Sequence, residues 1–462
     1  KVVRFSSPNR IDGAENGELA KVLSAQSVIS YDQLNEKVIQ DAFPPKDCKF
    51  SFKGGDLFHQ RRKFADGELL FLVNSSMTES VEGTIATVGK SAIRLDAMEG
   101  KIYSYPSVVD NGLLHTDFHL EPAGSLLLYY SNHILKGYPE APAIAGNTKL
   151  AASKSVEVKR LKENALNIDF CDVSVKGKTQ KNIYFAQAAD MVFKEYGFTN
   201  GNPWNTSVQY KRNILDRDTF KTGGFVATYH FNVNDKFDYS TMKLVAERPE
   251  FFSVKVNGQQ VQAIPCEWWL DRSFGVYAIG NMVKQGTNTV EMSVTPMSIF
   301  AEIEPIYVIG DFAVVPENKG WSISAPVEKL TLGSWKKQKQ PFYSWDVSYT
   351  KEYDVKDTSK SYTIQLNAWN GTVTEVYVNG EKAGIIGFDP YRLNIASYLK
   401  QGKNQVEVRV IGSHKNLLGP HYNNPNPGLA SPWHWKNIRK QIPGSDYQML
   451  DYGLMEDFDL VY

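Results

Sequence analysis

Cysteine is nearly absent from these 462 residues: Cys48, Cys171 and Cys266 stand far apart, odd in number and without C-x-x-C spacing. That excludes a disulfide framework or a structural zinc site built on paired thiols, and leaves three buried thiols as the expectation. An excess of one charge is lacking as well. Fifty-one basic residues balance fifty-one acidic ones, and like charges meet only in short pieces such as Lys336-Lys337. A phosphate polyanion is normally met by a concentrated basic surface, so nucleic acid is not an expected partner. Long apolar runs are missing too: "SLLLYY" at 125–130 is far short of the roughly 20 residues that cross a bilayer, and no membrane span is expected. There is no G-x-S-x-G elbow, P-loop or dinucleotide fingerprint. The eight histidines form no metal motif, because His115 and His119, although four apart, lie in the extended "LLHTDFHL".

What is present is the composition of an ordinary globular protein, 42% hydrophobic and 22% charged, at a length that favours several domains. The first residue is Lys1, not Met, and Leu19, Val22 and Leu23 recur at helical spacing. The opening therefore reads as the tail of a folded unit in a longer polypeptide, with a trimmed secretion signal as the alternative. From Phe50 onward, short alternating segments are punctuated by Gly, Asn, Asp and Pro about every ten residues, a rhythm that predicts β-sandwiches. The clearest strands are 69–76, 82–88, 93–106 and 125–131. One helix is expected over 183–198, where Phe185, Ala188, Val192 and Tyr196 keep a 3.6-residue period and Gly197 supplies the stop.

The chain also repeats itself. "VKQGTNTVEMSV" at 283–294 returns as "LKQGKNQVEVRV" at 399–410, and upstream of each lies a "VNG" phrase, Asn257-Gly258 and Asn379-Gly380. Asn-Gly between alternating β-formers predicts a type I′ hairpin, which needs positive φ at both central residues. In K-Q-G-x-N the glycine makes a turn and the asparagine holds the corner through its side chain. The following alternation turns valines inward and Glu or Arg outward. Two duplicated sandwich modules follow from this, their period being too long for a solenoid. The expected layout is a tail or linker at 1–48, a β-sandwich at 49–136, a linking segment with strands and the helix at 137–204, and two further sandwiches at 205–318 and 319–462.

Several phrases in order carry a family resemblance: "FHQRRKFADGELLFLVNSS", "HLEPAGSLLLYYS", "EIEPIYVIGDFAV" and "GSWKKQKQPFYSWDVSYTKEYDV". Together with the "fDPYRLNIASYLKQGKNQVEVRV" block, they resemble the C-terminal half of glycoside hydrolase family 106, the bacterial α-L-rhamnosidases. The repeated modules look like galactose-binding-like jelly rolls. The fold class expected is thus mainly β, with tandem β-sandwiches and a short helical segment between. The resemblance implies a polysaccharide or oligosaccharide partner, a catalytic domain N-terminal to this chain, a periplasmic or secreted setting and a structural calcium ion. No catalytic residue of the family finds a matching position, and no run of eight β/α units is present.

Sugar rings offer C–H faces to aromatic side chains and hydroxyl rims to polar ones. Two segments combine these: "CEWWLDR", with Trp268, Trp269, Asp271 and Arg272, and "SPWHWKN", with Trp433, His434 and Trp435. For the first, the plainer alternative is a core tryptophan with its neighbour on a sandwich edge; for the second, loop packing. Glu302 and Glu304 in "AEIEPIY" have the spacing of a same-face carboxylate pair, and Asp311 is a third acid nearby. The preferred reading of the pair is a solvated strand edge or structural salt bridge, and of Asp311 a turn or hydrogen-bonding acid.

Overall fold

A computed structural model describes residues 2–4, 10–24, 28–30, 47–141, 146–206, 208–217, 222–422, 431–435, 438 and 440–462. The chain divides into two compact units, Lys1–Ala143 with Phe388–Pro390 and Ile144–Gly387 with Tyr391–Tyr462. Most described residues that are ordered into elements form antiparallel strands, so the mainly β, tandem-sandwich reading holds.

In the first unit a five-stranded sheet and a four-stranded sheet enclose Leu70, Leu72, Leu128, Tyr130, Ile85 and Phe118. The strand expected over 125–131 is Ser125–Ser131, and that over 69–76 is Gly67–Asn74. The single strand expected over 93–106 is instead a hairpin, Ser91–Asp96 against Lys101–Tyr105. The Asp96 carboxylate caps the turn by accepting from the Met98 and Glu99 amides, which stops the ladder there.

The second unit holds two sandwiches. One joins a five-stranded sheet, in order Asn164–Ile168, Ile306–Gly310, Lys243–Glu247, Asp271–Ala278 and Trp268–Trp269, to an eight-stranded sheet centred on Phe225–Val233 and Gly286–Val294. The other joins a five-stranded sheet, Glu157–Arg160, Asp346–Val355, Gly402–Ile411, Val373–Val378 and Glu381–Ile386, to a four-stranded one containing Thr363–Gln365 and Asp459–Val461. Among the described residues, strands from the 137–204 stretch form no sheet of their own. Asn164–Ile168, Phe170–Val175 and Lys178–Tyr184 complete the earlier sandwich, while Lys149–Leu150 and Glu157–Arg160 pair into the later one. The helix runs Phe185–Glu195, shorter than expected because Ile183 and Tyr184 still belong to a strand; its face of Phe185, Ala188, Ala189, Val192 and Phe193 enters the earlier core.

The repeated phrases occupy matching places. Asn257-Gly258 and Asn379-Gly380 have φ of 49° and 82°, and 53° and 86°, the paired positive values a type I′ turn requires. Asn288 and Asn404 are both buried, and each binds the chain four residues back: Asn288 with the Lys284 amide (2.9 Å) and carbonyl (2.7 Å), Asn404 with those of Lys400 (3.0 and 2.6 Å). Downstream, Val290, Met292 and Val294 in one copy and Val406, Val408 and Val410 in the other point into their cores.

Candidate functional site

The five-stranded sheet of the earlier sandwich positions the site. Its register places Tyr307, Val245, Glu247 and Phe274 on one face, since Val245 lies opposite Tyr307 and Glu247 opposite Phe274. The edge hairpin carrying "CEWWLDR" adds Trp269 to the same cluster. Its ring centroid is 5.3 Å from Tyr307, 6.5 Å from Phe274 and 6.3 Å from Trp345, and Trp345 in turn meets His414 at 5.2 Å. Trp269 is therefore half-buried between the two sandwiches of this unit, the plainer alternative for that ring.

Trp268 behaves differently. Its backbone pairs with Gly275, the turn passes through Leu270 at φ 56°, and the indole stays 54% exposed. A large apolar ring left open beside charged neighbours suits a C–H face better than a protein core. Asp271 is exposed and accepts from the Ser273 amide at 2.7 Å and hydroxyl at 2.6 Å, bonds that lower its pKa and fix the hairpin end. Arg272 is exposed on the same strand. Cys266, expected to be buried, is exposed: it occupies a turn at φ 61°, before the hairpin begins.

Behind the hairpin, three glutamates converge. Glu247 ends its strand, while Glu302 and Glu304 alternate with buried Ala301, Ile303 and Pro305 in the segment leading into Ile306–Gly310. The expectation of a solvated edge or salt bridge is corrected for both. They are half-buried, no ion pair to either occurs among the described residues, and burial raises the pKa of each. For Glu302 the rise is opposed by the Asn202 side-chain amide, which donates to it at 2.6 Å, and by the Arg248 charge. Glu304 keeps some accessible surface, yet protein crowds its carboxyl enough to lift the pKa well above the usual range, with the Glu302 and Glu247 charges adding to the effect. Glu247 is raised by burial first and then by Glu302 and Asp271. Burial and the neighbouring Glu302 and Glu247 charges thus act on Glu304 in the same direction, favouring its protonated form. It can then donate a hydrogen bond as well as accept one.

Arg248, at φ 56°, borders this cluster and stacks its guanidinium 5.6 Å from Phe251 and 5.7 Å from Phe300; Trp204 stacks on Phe300 at 5.7 Å. Glu247, Arg248, Asn202, Tyr307 and Trp345 were not singled out from the sequence. Each arrives from a distant segment through sheet register or sandwich packing, and no local pattern marks it.

The second candidate segment forms a single 3-10 turn, Pro432–Trp435. His434 Nδ1 accepts from the Ser431 amide at 3.1 Å, and Trp435 packs partly buried against the earlier core. The Trp433 side chain lies outside the described residues. No ring contact joins this turn to the Trp268 hairpin among the described residues. Asp311 accepts from the Arg160 guanidinium at 2.7 Å, the hydrogen-bonding role expected of it. No group of three His, Cys, Asp or Glu side chains able to hold a metal ion occurs among the described residues. Among the described residues no helix is long and apolar enough to cross a membrane.

No family model matches the sequence, and no curated protein matches it. Among solved structures, a rhamnosidase from Novosphingobium sp. PP1Y is 14% identical with a TM-score of 0.43 over 96% of this chain and 28% of its own. The Streptomyces avermitilis α-L-rhamnosidase complexed with L-rhamnose is 10% identical with a TM-score of 0.25 over 89% and 41% of the two chains. A β-D-mannosidase from Dictyoglomus thermophilum is 10% identical with a TM-score of 0.22 over 56% and 31%. This chain thus spans less than half the length of each.

Proposed function

We propose that this chain is the non-catalytic β-sandwich portion of a polysaccharide-degrading glycoside hydrolase resembling the family-106 α-L-rhamnosidases. In this reading it supports a catalytic domain N-terminal to it, works in a periplasmic or secreted setting, and binds glycan at the Trp268–Trp269 hairpin. The ordered motifs of the sequence support the family reading. The observation that carries the binding role is the exposed Trp268 indole on a hairpin whose Asp271 lies close enough to Glu247 to raise its pKa. An open aromatic face supplies stacking, and Asp271, Arg272 and Glu247 supply partners for sugar hydroxyls.

The carboxyl cluster is placed in binding rather than hydrolysis. We assign the cluster to binding because no catalytic residue of the family finds a matching position in this sequence. The test is to incubate the isolated chain with an aryl α-L-rhamnoside and, separately, to measure its retention on immobilised rhamnose-containing plant cell-wall polysaccharide. Retention without release of the aryl group is expected. Release at an enzymatic rate would overturn the division of labour, and absence of retention would remove the binding role.

A further inference from the structure

The later sandwich of the second unit has an open edge. Glu157–Arg160 is the outermost strand of its five-stranded sheet and, among the described residues, pairs only with Asp346–Val355, Glu157 opposite Thr350 and Arg160 opposite Val347. The Leu161 amide donates to the Asp346 carbonyl at 3.3 Å in the same register, so residues 157, 159 and 161 spend their backbone groups on that partner. The next ladder agrees: the Gly412 amide donates to the Trp345 carbonyl at 3.1 Å, turning the odd positions of Asp346–Val355 toward Gly402–Ile411 and the even ones toward Glu157–Arg160. By this alternation the backbone groups of Val158 and Arg160 face away from the sheet. There they meet a groove of about 1170 Å³ lined by residues 154–163, Asp311 and 327–330.

An unpaired edge is usually guarded by lysine, and this one carries Lys159. Its charge is matched within the strand itself. Val158 points into the core, while Glu157 and Lys159 flank it on the exposed face. We propose that this edge pairs antiparallel with the same edge of a second copy of the chain, about a two-fold axis passing through Val158. The two Val158 residues then exchange their free backbone groups as a hydrogen-bonded pair, and Glu157 of each copy stands opposite Lys159 of the other in the close, non-hydrogen-bonded positions. The two neighbouring registers that keep the backbone parity set Lys159 against itself or Glu157 against itself. Charge therefore selects one register of three, and the contact is isologous and closed. Lys154 and Lys162 oppose each other only at the exposed ends, where Lys154 already lies 3.8 Å from Glu352.

This inference stands apart from the glycan reading and survives its failure. Sedimentation equilibrium on the chain, at micromolar to millimolar concentration, measures the dimer directly. Glu157→Lys and Lys159→Glu each place like charges opposite on both sides of the axis and are expected to weaken dimerisation by about tenfold or more, while the double exchange restores it. Thermal unfolding of each variant at low concentration checks that the exposed substitutions leave the sandwich intact. A monomer at every concentration, a dimer indifferent to the single reversals, or a double exchange that fails to restore association would each overturn the proposal.

Discussion

The Asn379 side-chain amide donates to the Asn404 side-chain carbonyl at 2.9 Å, and the same bond, from Asn257 to Asn288 at 2.8 Å, occurs at the matching point of the other sandwich. The hairpin asparagine also accepts the amide of the residue following its partner, Gln405 in one copy and Thr289 in the other, both at 3.0 Å. Two phrases separated in sequence are thus one device: the type I′ hairpin of one strand is tied to the opening corner of its neighbour. Asn404 uses both ends of its amide in a buried position, so nothing of similar size without hydrogen bonds can replace it.

Asn404→Ala should accordingly leave the Lys400 amide and carbonyl and the Asn379 amide short of partners, at a cost of about 2–3 kcal/mol. Asn288→Ala should cost a similar amount in the other sandwich. Urea unfolding followed by intrinsic fluorescence would record each loss, and equal stability to the parent chain would show the tie to be ornamental.

A second prediction concerns Asp169 and His421. Asp169 is buried at 2% exposure with Oδ2 unpartnered, and burial lifts its pKa from 3.8 to about 7, against the opposing bonds from Tyr422 and Tyr447. The folded chain holds this proton after the unfolded chain has released it, so on this account stability falls as pH rises from about 4 to about 7. His421, whose ring nitrogen lies 2.7 Å from the Asn416 carbonyl, is pushed by burial from 6.5 down to about 4. Its stability contribution is present above pH 6.5 and is lost as pH falls toward 4. The two slopes oppose each other. Asp169→Asn should remove one falling contribution, so that the thermal transition rises more, or falls less, between pH 4 and 6.5 than that of the parent chain. A profile unchanged from the parent chain would refute the assignment.

The carboxyl cluster predicts a third outcome. Glu304 keeps its proton in the folded state beyond the pH at which the unfolded chain loses it, so it lowers stability progressively as pH rises above the usual carboxylate range. Glu304→Gln keeps the shape and removes the titration. Its thermal transition should match the parent at acid pH and exceed it increasingly toward alkaline pH. A constant difference across the range would mean that folding leaves the Glu304 pKa unchanged.

How much of this was legible beforehand depended on distance along the chain. The corner formed by Asn288 spans four residues, and the Asn-Gly turns span two, so local chemistry sufficed to anticipate both. The tie between them spans 31 residues and was invisible. The Trp268 hairpin was visible as aromatic and charged side chains in one segment. The desolvation of Glu302 was not, because its cover comes from Asn202, 100 residues away, and from a strand end at Glu247. Cys266 was misplaced because its turn conformation outweighs the general tendency of thiols to be buried.

The most direct test of the central claim is isothermal titration of the chain with rhamnose-containing plant cell-wall oligosaccharides, repeated on Trp268→Ala. Trp268 is exposed and contributes little to the core, so folding should persist. Affinity is expected to fall by about tenfold or more, the loss of roughly one aromatic contact of 1 to 2 kcal/mol. Binding of equal strength by the parent chain and Trp268→Ala would contradict the account.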